Sequence, residues 1–136
     1  MTATKQYLIL LVEDNPADAD LVEEALADAN LDCRLQVLGN GKRALDYISL
    51  IENDQAPCPD LVLLDLNLPQ VSGEAVLKRI RSSPRCGSVK VLIVTSSDAA
   101  HDRRNAMELG ATDYFRKPSS LAQYLELGPK VRDLLQ

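Results

Sequence analysis

Asp65 ends a short apolar run, Leu61-Val62-Leu63-Leu64, and Pro69 follows within four residues. A carboxylate is costly inside a core, so Asp65 belongs at the end of the run, where the chain leaves it. Three other apolar runs also stop on polar groups: Tyr7–Val12 on Glu13-Asp14, Val89–Val94 on Thr95, and Thr112–Phe115 on Arg116-Lys117. If these ends share one edge, three carboxylates converge, and they repel one another unless a cation sits among them. Carboxylates with water suit Mg²⁺, which demands octahedral oxygen ligation and keeps part of its hydration shell. Thr95 adds a hydroxyl donor and Lys117 a compact positive charge. Such a set suits phosphoryl transfer: metal and lysine neutralise equatorial oxygens while a carboxylate attacks in line. Each residue alone reads as a cap or a solvated loop group; their occurrence at successive run ends favours a shared site.

The elements between these residues must bring them together. The run between Pro59 and Pro69 is too short for a helix and reads as a strand buried on both faces, as does Tyr7–Val12. Asn15-Pro16 starts a helix, with Asp18 and Asp20 at its positive end; Leu21, Val22, Ala25, Leu26 and Ala29 form its inner face and Asn30 closes it. Cys33–Leu38 is a short strand, and Gly39-Asn40-Gly41 turns into a helix with Ala44, Leu45, Ile48 and Ile51 inside. Glu52–Pro59 is a polar loop. Ser72-Gly73 opens a third helix whose Val76, Leu77 and Ile80 face inward, while Lys78, Arg79 and Arg81 face water. A fourth helix spans about Asp98–Leu109 and stops at Gly110, and Ser119 or Ser120 caps the last one.

Strand and helix alternate five times. The expected fold is therefore α/β: a doubly wound, five-stranded parallel sheet with right-handed crossovers and helices on both faces. In the flavodoxin-like strand order 2-1-3-4-5 the first and third strands are neighbours at the switch point, and Glu13, Asp14 and Asp65 meet there.

Composition narrows the function. With 136 residues the chain reads as one domain, 1–136, with no linker or repeat. A net charge of −5 argues against a general grip on nucleic acid. No stretch approaches membrane-spanning length, and the polar Met1–Gln6 is no signal peptide, so a cytoplasmic location is expected. Cys33, Cys58 and Cys86 lack metal-ligand spacing and His101 is the sole histidine; the cysteines read as reduced thiols.

These residues carry a family resemblance. The acidic pair Glu13-Asp14, Asp65 within Asp-Leu-Asn-Leu-Pro-Gln-Val-Ser-Gly, Thr95, and Lys117-Pro118 within Gly-Ala-Thr-Asp-Tyr-Phe-Arg-Lys-Pro resemble a response-regulator receiver domain along essentially the whole chain. The resemblance implies that Asp65 accepts a phosphoryl group from a phosphohistidine on a sensor histidine kinase. Glu13, Asp14, Asp65 and the backbone carbonyl of Asn67 would hold Mg²⁺, and Thr95 and Lys117 would contact the phosphoryl oxygens. Thr95 and Tyr114 occupy the switch positions, Asn67 and Ser97 those that tune hydrolysis of the acyl phosphate. A cis Lys117-Pro118 peptide bond is also implied.

The lengthened Glu52–Pro59 loop and the Val-Glu-Asp-Asn-Pro-Ala-Asp start resemble the stand-alone regulators of cyanobacterial and other bacterial phytochromes, which makes a phytochrome-type kinase the expected partner. Gly128-Pro129 interrupts the final helical pattern and predicts a break there. A homodimer through the fourth helix, fifth strand and fifth helix is expected. With no output domain before Gln136, signalling would pass through protein contacts or onward phosphotransfer.

Two other readings compete. A phosphate-independent adaptor of the same fold would not require Asp65, Thr95 and Lys117. A phosphatase of the haloacid-dehalogenase type would carry an aspartate at position 67, where this chain has Asn67.

Overall fold

The computed structural model describes residues 6–136; the expectation placed on the polar N-terminal stretch lies largely outside them. Five strands, β1 (Tyr7–Val12), β2 (Cys33–Leu38), β3 (Leu61–Leu64), β4 (Lys90–Thr95) and β5 (Asp113–Arg116), form one parallel sheet in the order β2-β1-β3-β4-β5. The expected strand order is thus observed. Between them run α1 (Pro16–Asp28), α2 (Gly41–Glu52), α3 (Gly73–Arg81) and α4 (Ala100–Glu108), and two short helices, α5 (Leu121–Tyr124) and α6 (Leu127–Leu135), complete the fold.

Strand periodicity explains the two-sided core. Leu10, Val12, Val62, Leu64, Val91 and Ile93 pack with α2, α3 and Ala106 of α4. Their alternates Ile9, Leu11, Leu61, Leu63, Leu92 and Val94 pack on the other face with α1, α5 and α6. The caps follow the sequence signals: Asn15, Asn40, Ser72 and Ser120 each accept backbone N–H bonds through their side chains.

Four expectations are corrected. First, Cys58 and Cys86 are joined in a disulfide, with Cα atoms 5.8 Å apart, and only Cys33 is free. The crossover connections place the loops before β3 and β4 side by side, a proximity no linear spacing encodes. Second, Arg81 does not simply face water. Its guanidinium bonds the carbonyls of Gly87, Val89 and Gly110 and pins the α3–β4 loop.

Third, the break in the last helix falls at Leu125–Glu126, before Gly128-Pro129. Pro129 cannot donate to the Leu125 carbonyl, so Gly128 N–H takes it in a tightened turn at 3.2 Å. Pro129 then sits in the first turn of α6, where its missing N–H is tolerated. Gly128 is a packing residue: a Cβ there would lie 2.6 Å from both the Ala25 carbonyl and the Ala29 Cβ, so α1 and α6 approach only over a glycine. Fourth, there is no cis peptide bond among the described residues, and Lys117-Pro118 is trans. The amine is aimed instead by the backbone, since Lys117 N–H bonds the Thr95 carbonyl at 2.7 Å and extends the β4–β5 ladder one residue past the strand.

Candidate functional site

Because all strands are parallel, their carboxyl ends share one edge. The ladders continue just beyond the strands: Glu13 N–H bonds Leu38 O and Asp65 N–H bonds Val12 O, each at 3.1 Å. These bonds fix the backbones that carry the two buried carboxylates. Glu13 and Asp65 are 4% and 5% exposed, so their charges need partners.

Lys117 supplies one. Its Nζ donates to Glu13 Oε2 at 2.8 Å, to Asp65 Oδ2 at 2.9 Å and to Asp18 Oδ2 at 2.9 Å. Asp65 Oδ1 also accepts Asn67 N–H at 3.0 Å, and Glu13 Oε1 accepts Asn15 N–H at 3.1 Å. Burial alone would depress the Lys117 ammonium, but its three carboxylate bonds outweigh this and hold it well above the usual lysine range. Burial pushes the Glu13 carboxyl up to about 7 despite Lys117. Asp65 moves the other way: burial opposes its charge, but the Asn67 N–H and Lys117 bonds prevail and lower it. The two carboxylates therefore shift in opposite directions, Glu13 up and Asp65 down.

Glu13, Asp14 and Asp65 each place a carboxylate oxygen within 4.8 Å of one another. These three form an all-oxygen, electron-rich set that fits a hard divalent cation, and Asp18 joins Glu13 and Asp65 on Lys117. Asp18 was read from sequence only as a favourable charge at a helix start. The signal for more was its position three residues after the Asn15 cap, which places it at the carboxyl edge of the sheet.

The expected switch positions Thr95 and Tyr114 lie in two hydrogen-bonded groups. Thr95 Oγ1 accepts the Asn67 side-chain amide at 3.3 Å. The Tyr114 ring is buried, its hydroxyl donates to Ser97 O at 2.8 Å, and the Arg103 guanidinium lies 5.4 Å from the ring centroid. Ser97 Oγ donates to Asp102 in the first turn of α4 at 2.6 Å. The site thus gathers Glu13, Asp14, Asp65, Asn67, Thr95 and Lys117, while the Ser97 hydroxyl is engaged with α4.

A model of the response regulator receiver domain family matches residues 9–127, nearly the whole chain. The chain belongs to the response regulator receiver family. Receiver domains are phosphoacceptors of two-component signalling rather than enzymes in general, and similar curated proteins are regulators. This receiver is 39% identical over 120 residues to the probable methanogenesis regulatory protein FilR2 of Methanothrix harundinacea, covering 88% of this chain and 77% of that one. It is 35% identical over 121 residues to the response regulator Rcp1 of Synechocystis, covering 88% and 82%. Among solved structures it resembles the phosphorylated cyanobacterial phytochrome response regulator RcpA, with TM-score 0.87, 32% identity, and 96% and 94% of the two chains covered. The Mn²⁺-bound form of Rcp1 follows with TM-score 0.83, 33% identity, and 93% and 92% coverage.

Gly73 lets α3 close on the Asp65 backbone in this receiver. A Cβ at that position would lie 2.3 Å from the Asp65 carbonyl oxygen and 2.6 Å from Leu66 Cα, both backbone atoms that cannot swing aside. The helix α3 therefore abuts the Asp65–Leu66 backbone only without a side chain. Gly73→Ala is expected to cost about 1–3 kcal/mol, at the upper end because the obstruction is backbone. It should also displace the Asp65 main chain. Urea unfolding measures the first effect; an unchanged midpoint would show that the loop can give way.

Proposed function

We propose that this receiver accepts a phosphoryl group on Asp65 from a histidine kinase and relays the signal through protein contacts. The observation that carries the reading is the Lys117 ammonium, bonded at once to Asp65, Glu13 and Asp18 at 2.8–2.9 Å. It holds the acceptor ionised and stands where negative charge gathers during transfer. An Asp65 oxygen attacks phosphorus as the donor's N–P bond breaks, and the imidazole leaves with a proton. The Thr95 hydroxyl, released from Asn67, donates to a phosphoryl oxygen, and Lys117 moves its bond to another. Glu13, Asp14, Asp65 and the Asn67 carbonyl would hold Mg²⁺, which when bound draws charge from the phosphoryl oxygens.

In this reading Thr95 movement is relayed to Tyr114, whose hydroxyl bonds Ser97 O, so acceptance biases the Ser97–Asp102 contact at the start of α4. Asn67 and Ser97 tune the lifetime of the acyl phosphate. Likeness to Rcp1 and RcpA supports a phytochrome-type kinase as donor, and a cytoplasmic setting goes with it. No helix among the described residues is long and apolar enough to cross a membrane. The exposed Met107 at the end of α4 and the exposed Arg116–Asp98 pair before its start support a homodimer through α4, β5 and α5.

Incubation with acetyl phosphate, with and without Mg²⁺, followed by rapid quench and intact-mass measurement tests this reading. One phosphoryl group, dependent on Mg²⁺ and mapped to the Asp65 peptide, is expected. Absence of any adduct, with no binding of BeF₃⁻, would move the protein to the adaptor reading.

Metal binding should depend on pH through Glu13. Its folded value of about 7 lies above the unfolded 4.5, so its contribution to the metal-free fold is full below about 4.5 and is lost as pH rises through about 7. Mg²⁺ must displace that proton, so its apparent affinity should fall by about tenfold per pH unit below about 7. Calorimetric titrations at pH 6 and pH 8 check this; equal affinities would place the proton elsewhere.

A further inference from the structure

We propose that Cys58 and Cys86 form a reversible thiol–disulfide exchange site, opened at Cys58 by small thiols of the glutathione class and closed again by their disulfides. It lies at the amino-terminal edge of the sheet, opposite Asp65, and the proposal stands independently of the phosphoryl reading. Two residues make it exchangeable rather than inert. Cys58 is exposed, whereas Cys86 is only 5% exposed, so an incoming thiolate meets one sulfur and not the other. The thiolate bonds Cys58 Sγ, the Sγ–Sγ bond breaks, and Cys86 leaves as a thiolate that takes a proton. A second small thiol then attacks the mixed disulfide at its own sulfur, releasing the oxidised pair and leaving Cys58 as a thiol.

The return path is built in. The Cα atoms are 5.8 Å apart, within the range a disulfide spans without backbone movement. Both sides are held by bonds other than the disulfide. Arg81 pins Gly87 and Val89, Val89 N–H bonds Cys86 O at 3.2 Å, and on the other side Asp60 N–H bonds Leu8 O at 2.8 Å. An ion pair between Arg85 and Asp54 ties the same two loops. The reduced thiols thus stay near bonding distance, and reclosure is intramolecular. A cleft of about 510 Å³ lined by Asp54, Gln55, Ala56, Pro57, Cys58 and Arg85 leaves room for a small thiol beside the sulfur it attacks.

The loop closed by the disulfide contains β3 and α3, including Asp65. Because β3 is paired on both sides, opening the bond should loosen residues 53–59 and leave the sheet intact.

The test equilibrates the full chain without air in buffers running from reduced to oxidised glutathione, then quenches with acid, alkylates and maps the cysteines by mass. Cys58 and Cys86 should convert together and reversibly, with Cys33 alkylated throughout as the internal reference. In hydrogen exchange, only residues 53–59 should speed up on reduction. In the single variants, Cys58 in Cys86→Ser should capture oxidised glutathione at least about tenfold faster than Cys86 in Cys58→Ser, because attack requires access. A pair that stays oxidised in reduced glutathione, or stays reduced in its disulfide, overturns the proposal. So do equal capture rates in the two variants, or a reduced chain that loses protection at residues 61–64.

Discussion

The Asp65→Asn protein is expected to take up no phosphoryl group from acetyl phosphate in Mg²⁺, under conditions where the wild type takes up one. The amide oxygen is a poor nucleophile, and of the three carboxylates bonded to Lys117 it is Asp65 that also accepts the Asn67 N–H. Glu13 is held by both Asn15 N–H and Lys117, and Asp14 is exposed. The fold should survive the change. The new amide oxygen can still accept the Asn67 N–H that bonds Asp65 at 3.0 Å, and Lys117 keeps Glu13 and Asp18. A neutral amide is also cheaper to bury than a carboxylate. Thermal stability should therefore change by no more than about 1 kcal/mol, while Mg²⁺ affinity falls with the loss of one of three carboxylates. Intact-mass measurement and a melting curve on the same sample separate lost chemistry from lost fold. An adduct on this variant at wild-type yield would place the acceptor elsewhere.

Lys117→Ala should be the most damaging change at the site. The Lys117 side chain is 9% exposed, and its removal strands Glu13, Asp18 and Asp65 without their cation. Breaking a buried pair by deleting one partner costs about 3–5 kcal/mol, and the open edge of the sheet argues for the lower end, near 3. The penalty has a pH signature. Compared at pH 8 and pH 5.5, the loss should be smaller at the lower pH, because falling pH neutralises buried carboxylate charge that Lys117 no longer balances. Mg²⁺ should restore part of the stability by binding only the folded form. Phosphoryl uptake should fall by about 10²–10³-fold, the size seen when one preorganised positive or donor group is removed from a transition state. Urea unfolding at the two pH values, with and without Mg²⁺, measures the first effect and quench-flow mass measurement the second. A penalty that grows toward acid would show that Lys117 serves another role.

Both predictions rest on residues that were visible in the sequence, and that was possible for a physical reason. In a parallel α/β sheet the strands are buried on both faces, so each appears as an apolar run, and a charged residue marks the point where it leaves the core. The runs ending at Glu13, Asp65, Thr95 and Lys117 therefore announced both the strands and the site edge. The caps at Asn15, Asn40 and Ser72 were legible for a similar reason, since each helix start satisfies its own N–H groups locally.

What stayed hidden depends on distances between segments far apart in the chain. The Cys58–Cys86 bond joins loops 28 residues apart, and Asp18 meets Lys117 across 99 positions. Arg81 reads as a surface cation on helical periodicity, yet its length lets it cross to carbonyls of two other loops. Gly128 looked like a breaker because proline follows it, whereas the close approach of α1 gives it its role. Sequence alone determined the alternation of elements, the edge and the chemistry-bearing residues, because burial and capping are local demands written in residue type. Only the tertiary structure decided which carboxylates share Lys117, which thiols pair and where the last helix bends, because those depend on how the crossovers stack distant segments against one another.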